Sequence, residues 1–352
     1  MAQQLNLVSD RIRVADSIEA VNRLFYGNGW TDGLPIIPPT EDRVRDMLQG
    51  AKGEPQEVIT LIPPEWGEAT LEKIAVNAVM AGCLPEYMPV IVAAVQAMSR
   101  EEFNLYGVQA TTHPCAPLII VNGPLARELD INSGYNAFGQ GRRSNAAIGR
   151  AIRLILMNIG GGTPGRLDRS TQGSPTKYSY CVAENEDSSP WEPLNVEKGF
   201  LAEQSTVTVV AAEGPHNVND HASTSGEGIL TTIAGTIGVP GNNNVTYTAG
   251  EPVIAIGPEH AATIAHDGFS KEEVKEFIYE KSRVPMAKLS AENRQEKKKA
   301  RERFGELAEN ALLPICRTKD DIIVIVVGGA GKHSCCIPTF GLSHAVTKAI
   351  GD

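Results

Sequence analysis

Nowhere does the sequence contain the roughly 18–20 consecutive apolar residues that a bilayer span needs. The opening stretch, MAQQLNLVSDRIRVADSIEAV, is polar and charged throughout and lacks an apolar h-region, which argues against a secretory signal. An excess of basic residues is missing too: 32 Lys+Arg stand against 42 Asp+Glu, a formal charge of −10. A nucleic-acid binder needs a basic face to displace counterions from phosphates, so that class is disfavoured, while a local cationic pocket for a small anion is not. None of the six cysteines forms a CxxC pair, which removes the zinc ribbon and the thioredoxin motif. Without a signal, these cysteines read as reduced thiols of a cytoplasmic protein. No HExxH and no GxGxxG after an early strand occurs, so a zincin-type metal site and nicotinamide hydride transfer have no motif. No full-length repeat is found.

What is present is enough apolar material, 42% of 352 residues, for two domains or one large α/β unit. Helical periodicity covers 16–26, 70–80, 88–98, 144–159, 226–237, 259–266, 270–282 and 290–311, with Asp16 or Ser17 and Ser144 as cap candidates, and Thr40 can cap a short helix over 41–49. Ser270-Lys271-Glu272-Glu273 is a capping box. The charged run 292–303 reads as a solvated helix face. Four short apolar runs, PLIIV, TVTVVAA, PVIAI and DIIVIVV, each end in a Gly-containing turn. Continuous Val/Ile runs of this kind suit strands buried on both faces of a parallel sheet. The expected fold is therefore α/β, with mostly parallel sheets flanked by helices in two α/β subdomains. The expected division is 1–165 and 166–352, the second part carrying the Gly-rich loop. Residues 160–206 are rich in Gly, Ser, Pro and Asp and read as a crossover or an active-site loop.

In open α/β sheets, ligands bind beyond the carboxyl ends of the strands. His216, His260 and His333 each follow such a turn, which predicts that they converge on one mouth. His216, Asp220 and His221 lie within six positions and offer a divalent-metal set, or a base oriented by a carboxylate. The Gly328–Cys336 segment places small residues beside Lys332. Gly329, Gly331 and Ser334 would cradle an anion there, although Val326 stands where a Walker A loop opens with glycine. A neighbouring cation would also raise the thiolate fraction of Cys335 or Cys336. Arg142, Arg143 and Asn145, at the start of the 144–159 helix, form a second candidate anion site.

The segments WTDGLPIIPPT (30–40), EKIAVNAVMAGCLPEY (72–87), GPHNVNDH (214–221) and GGAGKHSCC (328–336) together resemble a bacterial family associated with the UGSC-type (seleno)protein group. That resemblance implies a C-terminal α/β part with a selenocysteine or cysteine just after a Gly-rich turn. On that alignment His333 takes the selenocysteine position and Cys336 the final cysteine, a departure from selenol or thiol chemistry.

These readings favour an enzyme, a lyase or hydrolase, acting on a small anionic or carbonyl-bearing molecule. His216, His221, His260, His333 and Cys336 would supply acid–base or ligand groups, with Lys332 holding negative charge. A divalent metal would act as a Lewis acid. The alternatives are a thiol-based redox or transfer protein using Cys335 or Cys336, and a non-catalytic small-ligand-binding protein. The expected partner is a small molecule, with neither nucleic acid nor membrane, and a homodimer as default.

Overall fold

A computed structural model describes residues 6–300 and 307–351. In chain order the strands are β1 (Val58–Ile62), β2 (Gly67–Thr70), β3 (Ala116–Asn122), β4 (Cys181–Ala183), β5 (Thr206–Ala212), β6 (His216–Asn219), β7 (Val253–Ile256), β8 (Val284–Pro285), β9 (Leu312–Leu313), β10 (Ile323–Val326), β11 (His333–Ile337) and β12 (Val346–Ala349). The helices are α1 (Ile18–Gly27), α2 (Glu41–Leu48), α3 (Leu71–Ala81), α4 (Met88–Met98), α5 (Leu105–Ala110), α6 (Pro124–Glu128), α7 (Arg143–Asn158), α8 (Leu194–Glu197), α9 (Gly226–Ile237), α10 (Asn243–Tyr247), α11 (Pro258–His266), α12 (Lys271–Lys281) and α13 (Ala291–Lys299). The chain divides into two compact units. One holds 1–184, 195–211 and 343–352; the other holds 185–194 and 212–342.

The first unit is built on a four-stranded sheet of order β12-β5-β3-β4. Strand β3 is parallel to β4, and β12 is antiparallel to β5. Every residue of β3 and β5 is buried, which explains why these stretches are continuous rather than alternating in hydropathy. Helices α3, α4 and α7 supply the rest of the core, with Ile74, Met88, Ile91, Ile148 and Leu154 essentially sealed from solvent. Helix α3 ends where Gly82 takes the left-handed conformation, φ 85°.

The second unit has a sheet of order β10-β7-β11-β6, in which β10 and β7 are parallel and β11 runs antiparallel to both β7 and β6. Ile229, Leu230 and Ile233 of α9, Ile264 of α11 and Ile278 of α12 pack with Val218, Ile254, Val324 and Cys336 of the strands in one core. Ser270 and Glu273 exchange the two bonds of the capping box at the start of α12.

The chain is thus mixed α/β with helix-flanked sheets. The four apolar runs are strands, but two lie in each unit's sheet, and antiparallel strands complete both sheets, correcting the expectation of mostly parallel ones. The polar GPHNVNDH segment contains β6, and the Gly-rich turn leads into β11. Of the helix expected over 290–311, α13 covers Ala291–Lys299, and residues 301–306 lie outside the described residues. No helix among the described residues is long and apolar enough to cross a membrane.

Two glycines test the packing in opposite directions. At Gly149 in α7, a Cβ would stand 2.4 Å from the Ser179 hydroxyl and the Tyr180 amide nitrogen. Gly149→Ala is expected to lower unfolding free energy by about 1–3 kcal/mol through overpacking. Gly235 in α9 has nothing within 4 Å of the added atom, so Gly235→Ala is expected to raise it by about 0.5–1 kcal/mol. Urea titrations of both variants read the two signs.

Candidate functional site

Antiparallel pairing of β6 with β11 sets His333 opposite Asn219, Ser334 opposite Val218, Cys335 opposite Asn217 and Cys336 opposite His216. Because side chains alternate across a sheet, His333, Cys335, Asn217 and Asn219 share one face. Ser334, Cys336 and Val218 share the other, where Val218 and Cys336 join the core. Chain continuing from β6 then delivers His221 to the exposed end of this ladder.

There the Nε2 atoms of His221 and His333 stand 3.2 Å apart, the rings nearly perpendicular at 76°. His333 Nδ1 lies 3.0 Å from the Asn217 side-chain oxygen. That oxygen only accepts, so Nδ1 carries the hydrogen, and in the neutral ring His333 Nε2 is left with its lone pair. His221 Nε2–H then donates to it. Lys332 Nζ reaches the His221 carbonyl at 3.4 Å and puts a cation beside the pair.

Beneath the exposed pair sits His260, buried at 1% exposure at the start of α11. Its Nε2–H donates to the Asp220 carbonyl at 3.1 Å, and its Nδ1 accepts from the Ser334 hydroxyl at 2.8 Å. The Ser334 oxygen in turn accepts the Gly257 N–H at 3.1 Å. His260 therefore ties together the residue before His221 and the residue after His333. Burial pushes its pKa down, against the pull of the Asp220 carbonyl and carboxylate, so the neutral ring is favoured. Gly257 permits the approach: a Cβ there would lie 2.1 Å from the His333 carbonyl oxygen.

Asp220 is held apart for a structural task. Its carboxylate accepts from the Thr232 hydroxyl at 2.6 Å and the Ser223 N–H at 2.9 Å. Burial alone would raise its pKa, but these hydrogen bonds outweigh it and bring it down to about 2. His216, paired with Cys336, stands three strand residues from the ladder position of His333, ~10 Å along the sheet. Among the described residues no group of three or more His, Cys, Asp or Glu side chains is placed to hold a metal ion, so His216, Asp220 and His221 do not come together as a ligand set.

The predicted convergence is thus partial. His221, His333 and Lys332 meet, His260 braces them from inside, and His216 stands apart. Cys336 is buried, its thiol donating to the Ile233 carbonyl at 3.7 Å, and burial pushes its pKa up to about 12. Burial raises the Cys335 thiol as well. Neither thiol is poised as a thiolate. Gly329 and Gly331 lie in the turn before β11, where Gly331 has φ 137°, a conformation open to glycine. Ser334 is too buried to serve as a substrate contact and acts as the hydroxyl link described above.

Arg142, Arg143 and Asn145 belong to the first unit and do not form an anion cradle. Arg142 faces Asp130 at 3.2 Å, and Arg143 Nε donates to the Gly82 carbonyl at 2.9 Å. Asn145 is buried; its side chain accepts from Asn132 N–H and donates to the Asn132 and Cys181 carbonyls. Asn217 was missed by sequence reasoning. Its signal lay in strand alternation, which the polar reading of this segment concealed. Comparison with family models, curated proteins and solved structures gives no match.

Neutral His260 and ionised Asp220 make stability pH-dependent with a definite sign. A histidine whose folded pKa is depressed contributes stability that is complete above its unfolded value, about 6.5, and is lost as pH falls through the folded one. The Asp220 contribution persists to lower pH, and is lost as pH falls from about 3.9 toward about 2. Urea titrations across pH 7.5 to 5 are expected to show wild-type stability falling. The fall should be shallower in His260→Gln, whose side chain does not titrate.

Proposed function

We propose that this chain is an enzyme of lyase or hydrolase type, in which the His221–His333 pair carries the acid–base step on a small anionic or carbonyl-bearing molecule. The observation that carries this reading is the 3.2 Å separation of two exposed Nε2 atoms, one with its tautomer fixed by Asn217. A substrate or water that displaces the ring-to-ring hydrogen bond would meet a lone pair on His333 and an N–H on His221. One ring can then take a proton while the other gives one, which elimination from a carbonyl compound and hydrolysis both require. Lys332 would hold negative charge on the substrate. His260 acts through the others as a positioning residue. The UGSC-type resemblance supports the same spot, since the position of its selenocysteine is occupied here by His333. With this reading go a small-molecule partner, a cytoplasmic setting and a homodimer.

Against a panel of small esters, lactones and hydroxy acids, His221→Ala and His333→Ala are each expected to cost at least ~100-fold in kcat/KM. Asn217→Ala should cost roughly tenfold, by releasing the tautomer. Nitrogen-15 NMR of wild-type protein should show His333 protonated at Nδ1. Full activity in both alanine variants discards the reading.

A divalent ion on the same two imidazoles is a second reading, favoured by the same distance. Two nitrogens bound at 2.0–2.1 Å to a tetrahedral ion sit about 3.3 Å apart. The ion would be held by His221 and His333 rather than by His216 and Asp220. Calorimetric zinc titration is expected to give binding that His333→Ala abolishes and His216→Ala leaves unchanged; the reverse pattern rules this reading out.

A further inference from the structure

A cavity of about 470 Å³ opens in the first unit between the end of α7 and the 162–178 segment. Its size falls within the range of small-molecule pockets. Helix α7 contributes Arg153 and Met157, four residues apart, to its lining, and Arg150 lies one turn before Arg153. Arg150 grips the Asp32 carboxylate through Nε at 2.7 Å and Nη2 at 2.8 Å. Across the cavity Lys177 holds both oxygens of Asp168, at 2.6 and 2.8 Å. These two cations and two carboxylates cancel.

Arg153 does not fit that balance. It is 8% exposed and lines the cavity. Among the described residues its side chain makes one hydrogen bond, from Nε to the Lys177 carbonyl at 2.8 Å, and no ion pair. Both Nη groups are left without a partner. A guanidinium stays charged even when buried. The two carboxylates that act on it from nearby, Asp168 and Asp32, are already bound by Lys177 and Arg150, so the buried charge here lacks a direct partner, which is costly. Two free Nη groups form the fork that a carboxylate meets with two parallel hydrogen bonds.

We propose that this cavity binds a small monocarboxylate, held by the Nη fork of Arg153 with its apolar body against Met157, Pro164, Pro175 and Tyr178. One unmatched positive charge calls for one negative charge; a phosphate dianion would leave a net negative charge in a buried site. The proposal is independent of the imidazole pair.

The test uses the full chain with acetate, hexanoate and benzoate as probes and inorganic phosphate as the competing anion. At least one carboxylate is expected to raise Tm and to bind by calorimetry, with Kd weakened at least about tenfold in Arg153→Met. Should that variant fail to fold, phenylglyoxal labelling of wild-type protein, mapped by mass spectrometry, is expected to show Arg153 protected by the carboxylate. His333→Ala should bind the probe as wild type does, which separates this proposal from the acid–base reading. No response to any of the three carboxylates, undiminished affinity in Arg153→Met, absent protection at Arg153, or tighter binding of phosphate overturns it.

Discussion

The pairing of two short antiparallel strands is the constraint on which the second unit's chemistry rests. Setting Asn219 against His333 fixes the register, and the register decides that Asn217 faces the ring of His333 while Ser334 turns inward to His260. A slip of one residue would exchange the two faces, burying His333 and exposing Ser334. The buried imidazole guards against such a slip, because its two nitrogens are matched to a carbonyl on one segment and a hydroxyl on the other. Exposed and buried histidines thus divide the labour: two face the solvent, and a third holds their supports in place.

Much of the framework was legible from residue pattern. Helices with a clear cap and apolar period, such as α9 and α12, fall where periodicity puts them, and the Val/Ile-rich stretches are strands. What the pattern could not convey was partnership. A buried strand looks the same beside a parallel or an antiparallel neighbour. β6 and β11 are short and polar on their outer face, so neither announces itself as a strand. The glycines read as an anion cradle form the turn that leads into β11.

The candidate site was legible in its residue types and only partly in its grouping. His221, His333 and Lys332 converge because they flank the ladder's end. His216, equally close in sequence, is carried away by the extension of β6. Asp220 and His260 carry shifted pKa values for structural reasons, a reminder that a perturbed group beside a site need not act in it. In the first unit, the arginines that drew attention at the start of α7 are satisfied by local partners. A single charged residue inside the apolar run AIRLIL was the stronger signal, because charge at a core position demands a reason.

Gly257 touches neither imidazole, yet it sets how close β7 lets the His333 backbone come. Any added methyl would be transmitted as a sideways shift of β11, moving one ring relative to the other while leaving every polar atom of the pair chemically intact. Proton transfer depends steeply on donor–acceptor separation. The tolerance of the whole centre is therefore held by an absent side chain, and drift at that position would silence the pair without altering a single reacting group.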